Sequence, residues 1–453
     1  MPAPDFAAAP SLLRTPALLW QSAGPRRLCV GAERAQAELA RLAADGALVL
    51  YDPAACSAVP HLGRTALPLP ADEGAGAPWR VAREIARLGA RTVAVIGGGT
   101  AMDTAKLAVA LAAGSEPRYA EGPSSGLALL TRACRPAPAL IALPTTLGTG
   151  SETSGVARLA IGGRRSRLVC SAMLRPEGAV LDPCLTETLP APLLAAGAME
   201  ILLRLIGPLL GPHPMGASSS AWLLETATLV RHTAEALLAS PLSQGDAGQY
   251  VAAGWSEAAG WSEDAGRFED AGWSEAAGRS ASDVAAYDPA ETYEGRAALR
   301  LRLRLATISA ASHQVWPRVG VSPFAFLLWY FADTAATVTG TAKNTALARL
   351  FPAYLERSLT TPGRSAWADG DRARQVARRL FPEAAAAGDR PADYREAAAR
   401  LLRRWGVPLA PPLDADPADL GRAVVSSWPR ALTGLTARDA AALYESASYE
   451  AAR

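Results

Sequence analysis

Through its first 190 residues the chain alternates short apolar runs with amphipathic helical stretches, and that alternation leaves few folds open. "RRLCVG" reads as a strand and "ERAQAELARLAADG" as a helix closed by Gly46. "ALVLYD" is a second strand, ending in Asp52. "PWRVAREIARLGA" is a helix, "RTVAVIG" a third strand, "TAMDTAKLAVALAAG" a helix ending at Gly114, and "ALIALP" a further strand. Strands separated by helices lie parallel, so the pattern predicts an α/β, doubly wound dinucleotide-binding domain over residues 1–190. After "LDPCLTETLP" the texture changes to Ala-, Leu- and Arg-rich helices, among them "APLLAAGAMEILLRLIG" and "TAKNTALARLFPAYLERS". These predict a second, all-α domain over residues 191–453.

One stretch fits neither domain. From Gly254 to Ser280 the chain repeats a hexapeptide, GWSEAA, GWSEDA, GRFEDA, GWSEAA. A glycine every six residues weakens any helix. The segment, about 243–290, reads as a low-complexity insertion in the helical domain. Its Trp255, Trp261, Phe268 and Trp273 are the residues through which a partner protein would be contacted.

Composition narrows the partners. A formal net charge of +2 argues against nucleic acid or an anionic membrane. Five scattered cysteines without a CxxC pair suit a reducing cytoplasm. No secretory signal and no uncharged membrane-spanning run is expected. The four histidines, His61, His213, His232 and His313, form no HxxxH or HExxH pattern.

Two segments carry chemistry. "GGGT", Gly97 to Thr100, lies where a strand meets a helix, and backbone N–H groups there can approach a phosphate. "LPTTLGTGSETSG", Leu143 to Gly155, follows another strand and gathers hydroxyls and glycines. Asp52, closing the second strand, can accept from a ribose 2′-OH and would repel a 2′-phosphate, which favours NAD over NADP; a turn-forming Asp-Pro step is the other reading.

Together these residues resemble a known family. "GGGTAMDTAK" (Gly97–Lys106) is similar to the GGGSxxDxAK motif of the iron-containing, group III alcohol dehydrogenases, and "PTTLGTGSE" (Pro144–Glu152) to their PTTxGTGSE motif. "LDPCLTETLP" and "WPRALTGLTARDAAALYESA" resemble two further segments of the family. The resemblance implies a dinucleotide-binding domain, a C-terminal helical domain and an active site between them. It implies that Gly97, Gly98, Gly99 and Thr100 hold a pyrophosphate. Thr145, Thr146, Thr149 and Ser151 would line the nucleotide and nicotinamide, and Asp103 would be structural or touch the cofactor.

The family's metal ligands, an Asp and three His, are where the resemblance breaks. In "GAMEILLRLIG" the first two positions fall on Glu200 and Arg204. In "FLLWYFADTAATVTGTAKNTALARLFP" the later pair falls on Trp329 and Lys343, and an accessory position on Asp333. A guanidinium cannot ligate a metal and an ammonium scarcely can, so no catalytic metal is expected. If the chain is an active dehydrogenase, Arg204 and Lys343 stabilise an alkoxide or hold a carboxylate beside the reacting carbon, Glu200 is a further catalytic candidate, and His313 is a candidate proton relay. If it is inactive, Glu200–Arg204 and Lys343–Asp333 are ordinary ion pairs of a pseudoenzyme or scaffold. Metal-deficient relatives suggest two settings for the active form. One is maleylacetate reduction; the other is oxidative decarboxylation of a C-terminal threonine in daptide-type ribosomal peptides. The partners expected are a carboxylate-bearing small molecule or peptide and a second copy of the chain.

Overall fold

The computed structural model describes residues 24–54, 65–69, 74–119, 126–161, 166–240, 293–314, 321–322, 324–407, 409 and 413–448. The hexapeptide repeat lies outside them. The strands are β1 (Arg27–Val30), β2 (Leu48–Tyr51), β3 (Ala66–Pro68), β4 (Thr92–Gly97), β5 (Pro117–Tyr119), β6 (Leu127–Leu130), β7 (Ala139–Pro144), β8 (Val156–Ala160), β9 (Ser166–Cys170) and β10 (Gly178–Leu181). Six of them form a wholly parallel sheet in the order β1-β10-β7-β4-β2-β3.

The sheet is parallel, and its inner strands β2, β4, β7 and β10 are buried, covered by packed elements on both faces, whereas edge strand β1 is exposed. The two-residue period of the strands divides the apolar side chains cleanly. Leu48, Leu50, Val93, Val95, Leu140 and Ala142 face helices α2 (Ala77–Leu88) and α3 (Gly99–Ala112), against Val81, Ile85, Met102 and Ala105. Val49, Ala94, Ile96, Ile141 and Leu143 face α1 (Arg34–Ala44), against Ala35, Leu39 and Leu42. Asp182, in the "LDPCLTETLP" segment, has a structural task here. Its Oδ2 accepts from the Ala35 N–H at 2.9 Å, in the first turn of α1, and its Oδ1 from Cys184 at 3.0 Å.

A second sheet, β5-β6-β9-β8, is an addition to what the sequence predicts. It packs on the far side of α3, where Leu107 and Ala110 meet Ala128, Ala157, Leu159 and Val169. Its strands are short and partly polar, as in "VARLA" and "SRLVC", so no apolar run marks them.

From Ala191 onward every named element is helical: α4 (Ala191–Leu210), α5 (Ala217–Leu238), α6 (Tyr293–Ala311), α7 (Leu327–Thr339), α8 (Lys343–Thr360), α9 (Gly370–Leu380), α10 (Pro382–Ala387), α11 (Pro391–Arg404), α12 (Pro417–Ser427) and α13 (Ala437–Ser448). Helix α4 is the axis of this part. Every residue from Leu194 to Leu210 is buried, covered mainly by α5 and α9, with α6, α7 and α8 also in contact. It is long and apolar enough to cross a membrane, yet its apolar surface is taken up inside the protein. Each fully buried Leu or Ile there contributes about 1.5–3 kcal/mol of transfer free energy. Glu200 and Arg204 are the two charges in this helix, and both are buried.

Candidate active site

Strand β4 runs into α3 through Gly97 and Gly98. Gly98 is the N-cap of α3, and no side chain caps the helix there. The N–H groups of its first turn are therefore open to an anion, with the helix dipole in their favour. The turn is locked to the second motif. The Gly97 carbonyl accepts from the Thr145 N–H at 3.0 Å. A Cβ on Gly98 would lie 3.1 Å from Thr146 Cγ2, and one on Gly99 would lie 2.8 Å from Thr149 Cγ2. Thr100 is exposed; Gly98, Gly99, Thr146 and Thr149 are partly so, and Thr145 is buried. Asp52 stands beside the turn. A Cβ on Gly97 would come within 3.0 Å of Asp52 Cβ. Asp52 Oδ1 accepts from the Ala54 N–H at 3.0 Å, and burial pushes its carboxyl above the usual range. The Ala54 contact is that of a turn-forming Asp-Pro step, and the side chain lies beside Gly97, where the ribose-binding reading expects it to be.

Asp103 and Ser151 are bound to each other. Ser151 Oγ donates to Asp103 Oδ1 at 2.6 Å and accepts from Lys106 Nζ at 2.8 Å. Asp103 Oδ2 accepts from the Arg158 N–H at 2.9 Å. Lys106 is fully buried and also donates to Ser154 Oγ at 3.1 Å and to the Val156 carbonyl at 2.8 Å. Burial pushes its ammonium down to about 8, although Asp103 and Glu152 pull the other way. Both carboxylate oxygens of Asp103 thus accept hydrogen bonds from within the protein. The Ser151 hydroxyl, expected to line the nucleotide, is occupied in holding α3 to the threonine-rich loop.

That loop also crosses α4. Gly148, at φ 105°, approaches so closely that a Cβ on it would lie 2.5 Å from the Gly197 carbonyl oxygen. Gly150, at φ 62°, lies against the His313 ring and 3.1 Å from Arg204 Nη1, measured from the position of a Cβ. The close crossing brings Arg204 and His313 of the helical domain to the threonine-rich loop. Arg204 pairs with Glu200 at 3.2 Å, the expected one-turn ion pair. It also donates to the Gly148 and Thr149 carbonyls. Lys343, at the start of α8, places Nζ 3.4 Å from the centroid of the Trp329 ring, and Arg204 lies 5.9 Å from the same ring. Burial pushes the Lys343 ammonium down to about 8; Glu200 and Asp333 oppose that, while Arg158 and Arg204 add to it.

One expected pair differs. Asp333 is bound by Arg158, not by Lys343. Arg158 reaches it from β8, in the second sheet that the sequence did not reveal. Glu152, the last residue of the threonine-rich motif, is a further site residue that sequence reasoning passed over. It is buried, and desolvation raises its carboxyl pKa against the pull of Arg204 and Lys106. Its place in the motif was the available signal.

The positions that resemble the family's metal ligands do converge, on α4, α7 and α8. Their chemistry does not fit a divalent cation. Two of them are cations and one is an indole, which offers no lone pair to a metal. Among the described residues no three His, Cys, Asp or Glu side chains form a ligand group.

Comparison with known proteins agrees with this architecture. A family match described as "Iron-containing alcohol dehydrogenase" covers residues 79–183. Phosphonoacetaldehyde reductase of Streptomyces viridochromogenes is 37% identical over 130 residues, which are 27% of this chain and 31% of that protein. 4-Hydroxybutyrate dehydrogenase of Cupriavidus necator is 37% identical over 137 residues, 29% of this chain and 34% of that one. The sequence match thus spans about a third of the length of these relatives. The solved structure of an iron-containing alcohol dehydrogenase from Thermococcus thioreducens aligns over 93% of this chain and 98% of its own, with a TM-score of 0.59 and 17% identity. The resemblance carried by the glycine and threonine motifs is therefore a match to the iron-containing alcohol dehydrogenases, by sequence over residues 79–183 and by fold over nearly the whole chain.

Proposed function

We propose that the protein is a metal-independent, NAD-dependent oxidoreductase that interconverts a secondary hydroxyl and a ketone on a carboxylate-bearing substrate. The observation that carries this reading is Lys343, a cation over Trp329 at a position resembling a metal ligand, on the same ring that Arg204 approaches. Gly98, Gly99 and Thr100 would hold the pyrophosphate at the uncapped start of α3, and Thr146 and Thr149 would line the rest of the dinucleotide. When bound, the nicotinamide supplies or accepts the hydride. Lys343 moves the proton. As an ammonium it donates to the carbonyl oxygen that is becoming an alkoxide; as a neutral amine it takes the proton of the hydroxyl. Trp329 offsets part of the cost of holding that charge away from water.

An anionic substrate is supported by the relatives, whose names specify phosphonoacetaldehyde and 4-hydroxybutyrate. Within that class a C-terminal threonine is a β-hydroxy acid, and its oxidation yields a β-keto acid that loses CO₂ readily. A peptide ending in threonine is the finer proposal, and a small dicarboxylate is its competitor.

The nucleotide part is tested by titrating NADH against wild type and Gly98→Val, read by fluorescence. The branched side chain would press on Thr146, 3.1 Å from the first atom added, and would screen the start of α3. Affinity should fall at least about tenfold, the equivalent of one or two hydrogen bonds. Equal binding by the two proteins would remove the foundation of the proposal.

A further inference from the structure

We propose that Arg204 is a positioning residue: its guanidinium latches the threonine-rich loop onto α4, and so sets nucleotide affinity, without taking part in proton transfer. This rests on the reading that Gly97–Thr100 and the loop after β7 hold the dinucleotide.

The sequence suggests a cation facing the substrate. The structure surrounds Arg204 with partners instead. The side chain is 3% exposed. Nη2 donates to the Gly148 carbonyl, to the Thr149 carbonyl at 3.0 Å and to Glu200 Oε1 at 3.2 Å. Nη1 reaches Ser312 Oγ at 3.2 Å and Ser309 Oγ at 3.4 Å, both near the end of α6. A planar group with five N–H donors can join three elements in this way; a histidine or methionine in its place cannot.

What the latch holds is specific. Gly148 and Thr149 are consecutive loop residues whose carbonyls turn inward, where an unpartnered carbonyl would be costly. The other side of Thr149 packs over Gly99, where a Cβ would lie 2.8 Å from Thr149 Cγ2. A continuous chain of contacts thus runs from α4 through Arg204 and Thr149 to the first residue of α3. A loose guanidinium would free the loop at the point where it borders the proposed pyrophosphate turn. Lys343, by contrast, has no carboxylate within 4 Å among the described residues and holds only the Trp329 ring. The two cations therefore divide the work: Arg204 fixes the loop and Lys343 meets the substrate.

The experiment compares Arg204→Met, Arg204→Lys, the double variant Ser309→Ala/Ser312→Ala and Lys343→Met, with the Kd for NADH as an activity-independent readout. Arg204→Met should raise Kd about tenfold to a hundredfold, since two carbonyls lose their donor. Arg204→Lys should recover part of that loss by serving one carbonyl, and the serine double variant should raise Kd a few-fold. Lys343→Met should bind NADH within about twofold of wild type, having no contact with the loop. Turnover left in Arg204→Lys, which keeps a positive charge near Lys343, should keep the wild-type pH profile. A folded Arg204→Met protein that binds NADH like wild type overturns the latch. If that variant does not fold, unchanged Kd in both Arg204→Lys and the serine double variant overturns it, and a raised Kd supports it. A wild type that binds no NADH would instead overturn the proposed function.

Discussion

Replacing Lys343 by Met is expected to lower turnover about a hundredfold or more, because a charge-assisted contact to the reacting oxygen in a dry site is worth roughly 3 kcal/mol. Methionine keeps the bulk over Trp329 and removes the charge, so the loss should appear in turnover and not in NADH affinity. The pH dependence sharpens the expectation. Burial holds the Lys343 ammonium at about 8, well below an exposed lysine. In the direction of reduction the protonated form donates, so kcat/KM should fall as pH rises through about 8. In the direction of oxidation the neutral form accepts, so the rate should rise with pH and level off above about 8. Lys343→Arg keeps a cation that cannot deprotonate, and should flatten the oxidative limb. Burial dominates this value; Glu200 and Asp333 raise it, and Arg158 and Arg204 lower it. A Met variant with wild-type turnover and the same pH profiles would show that Lys343 merely packs against Trp329.

Gly197→Val is expected to be the most damaging single change to the fold of the site. A Cβ at Gly197 would lie 2.4 Å from the Leu147 carbonyl oxygen and 2.9 Å from its carbon. Both are backbone atoms, so no rotamer relieves the clash. Gly148 opposes it across the same crossing, at a φ of 105° that a branched residue does not adopt. Separating the loop from α4 by even one ångström would open the contacts of Arg204 and unseat a fully buried helix. The cost should exceed about 4 kcal/mol, in the range where a marginally stable protein no longer folds. Urea unfolding with NADH titration of the soluble fraction measures it. A Gly197→Val protein as stable as wild type would mean that the loop and the helix do not touch there.

The parts of this molecule that were legible in the sequence are those written in apolar period or in contiguous motifs. β4 and β7 are near-continuous apolar runs because the sheet is covered on both faces, and the glycine and threonine motifs follow them directly. The convergence of Glu200, Arg204 and Lys343 was legible through the family resemblance, despite their separation along the chain. What was not legible depends on partners that a motif does not name. The sequence pairs Arg204 with Glu200 or turns it to a substrate, and its bonds to the backbone carbonyls of Gly148 and Thr149 appear only in the fold. Asp333 lies ten residues before Lys343 yet is bound by Arg158, from a strand too short and polar to announce itself. Ser151 carries a hydroxyl suited to a ligand, and only the fold shows Asp103 and Lys106 already holding it.

In the proposed function, protein cations stand where the resemblance to iron-containing alcohol dehydrogenases places a metal. This is tested most directly by measuring iron, zinc, manganese and nickel in the purified protein. NADH-linked turnover is then assayed before and after exhaustive chelation, on a panel of hydroxy acids that includes a peptide ending in threonine. Turnover per protein is expected to be independent of metal content and unchanged by the chelator. Activity that scales with bound metal, disappears on chelation and returns with added Fe²⁺ or Zn²⁺ would contradict it.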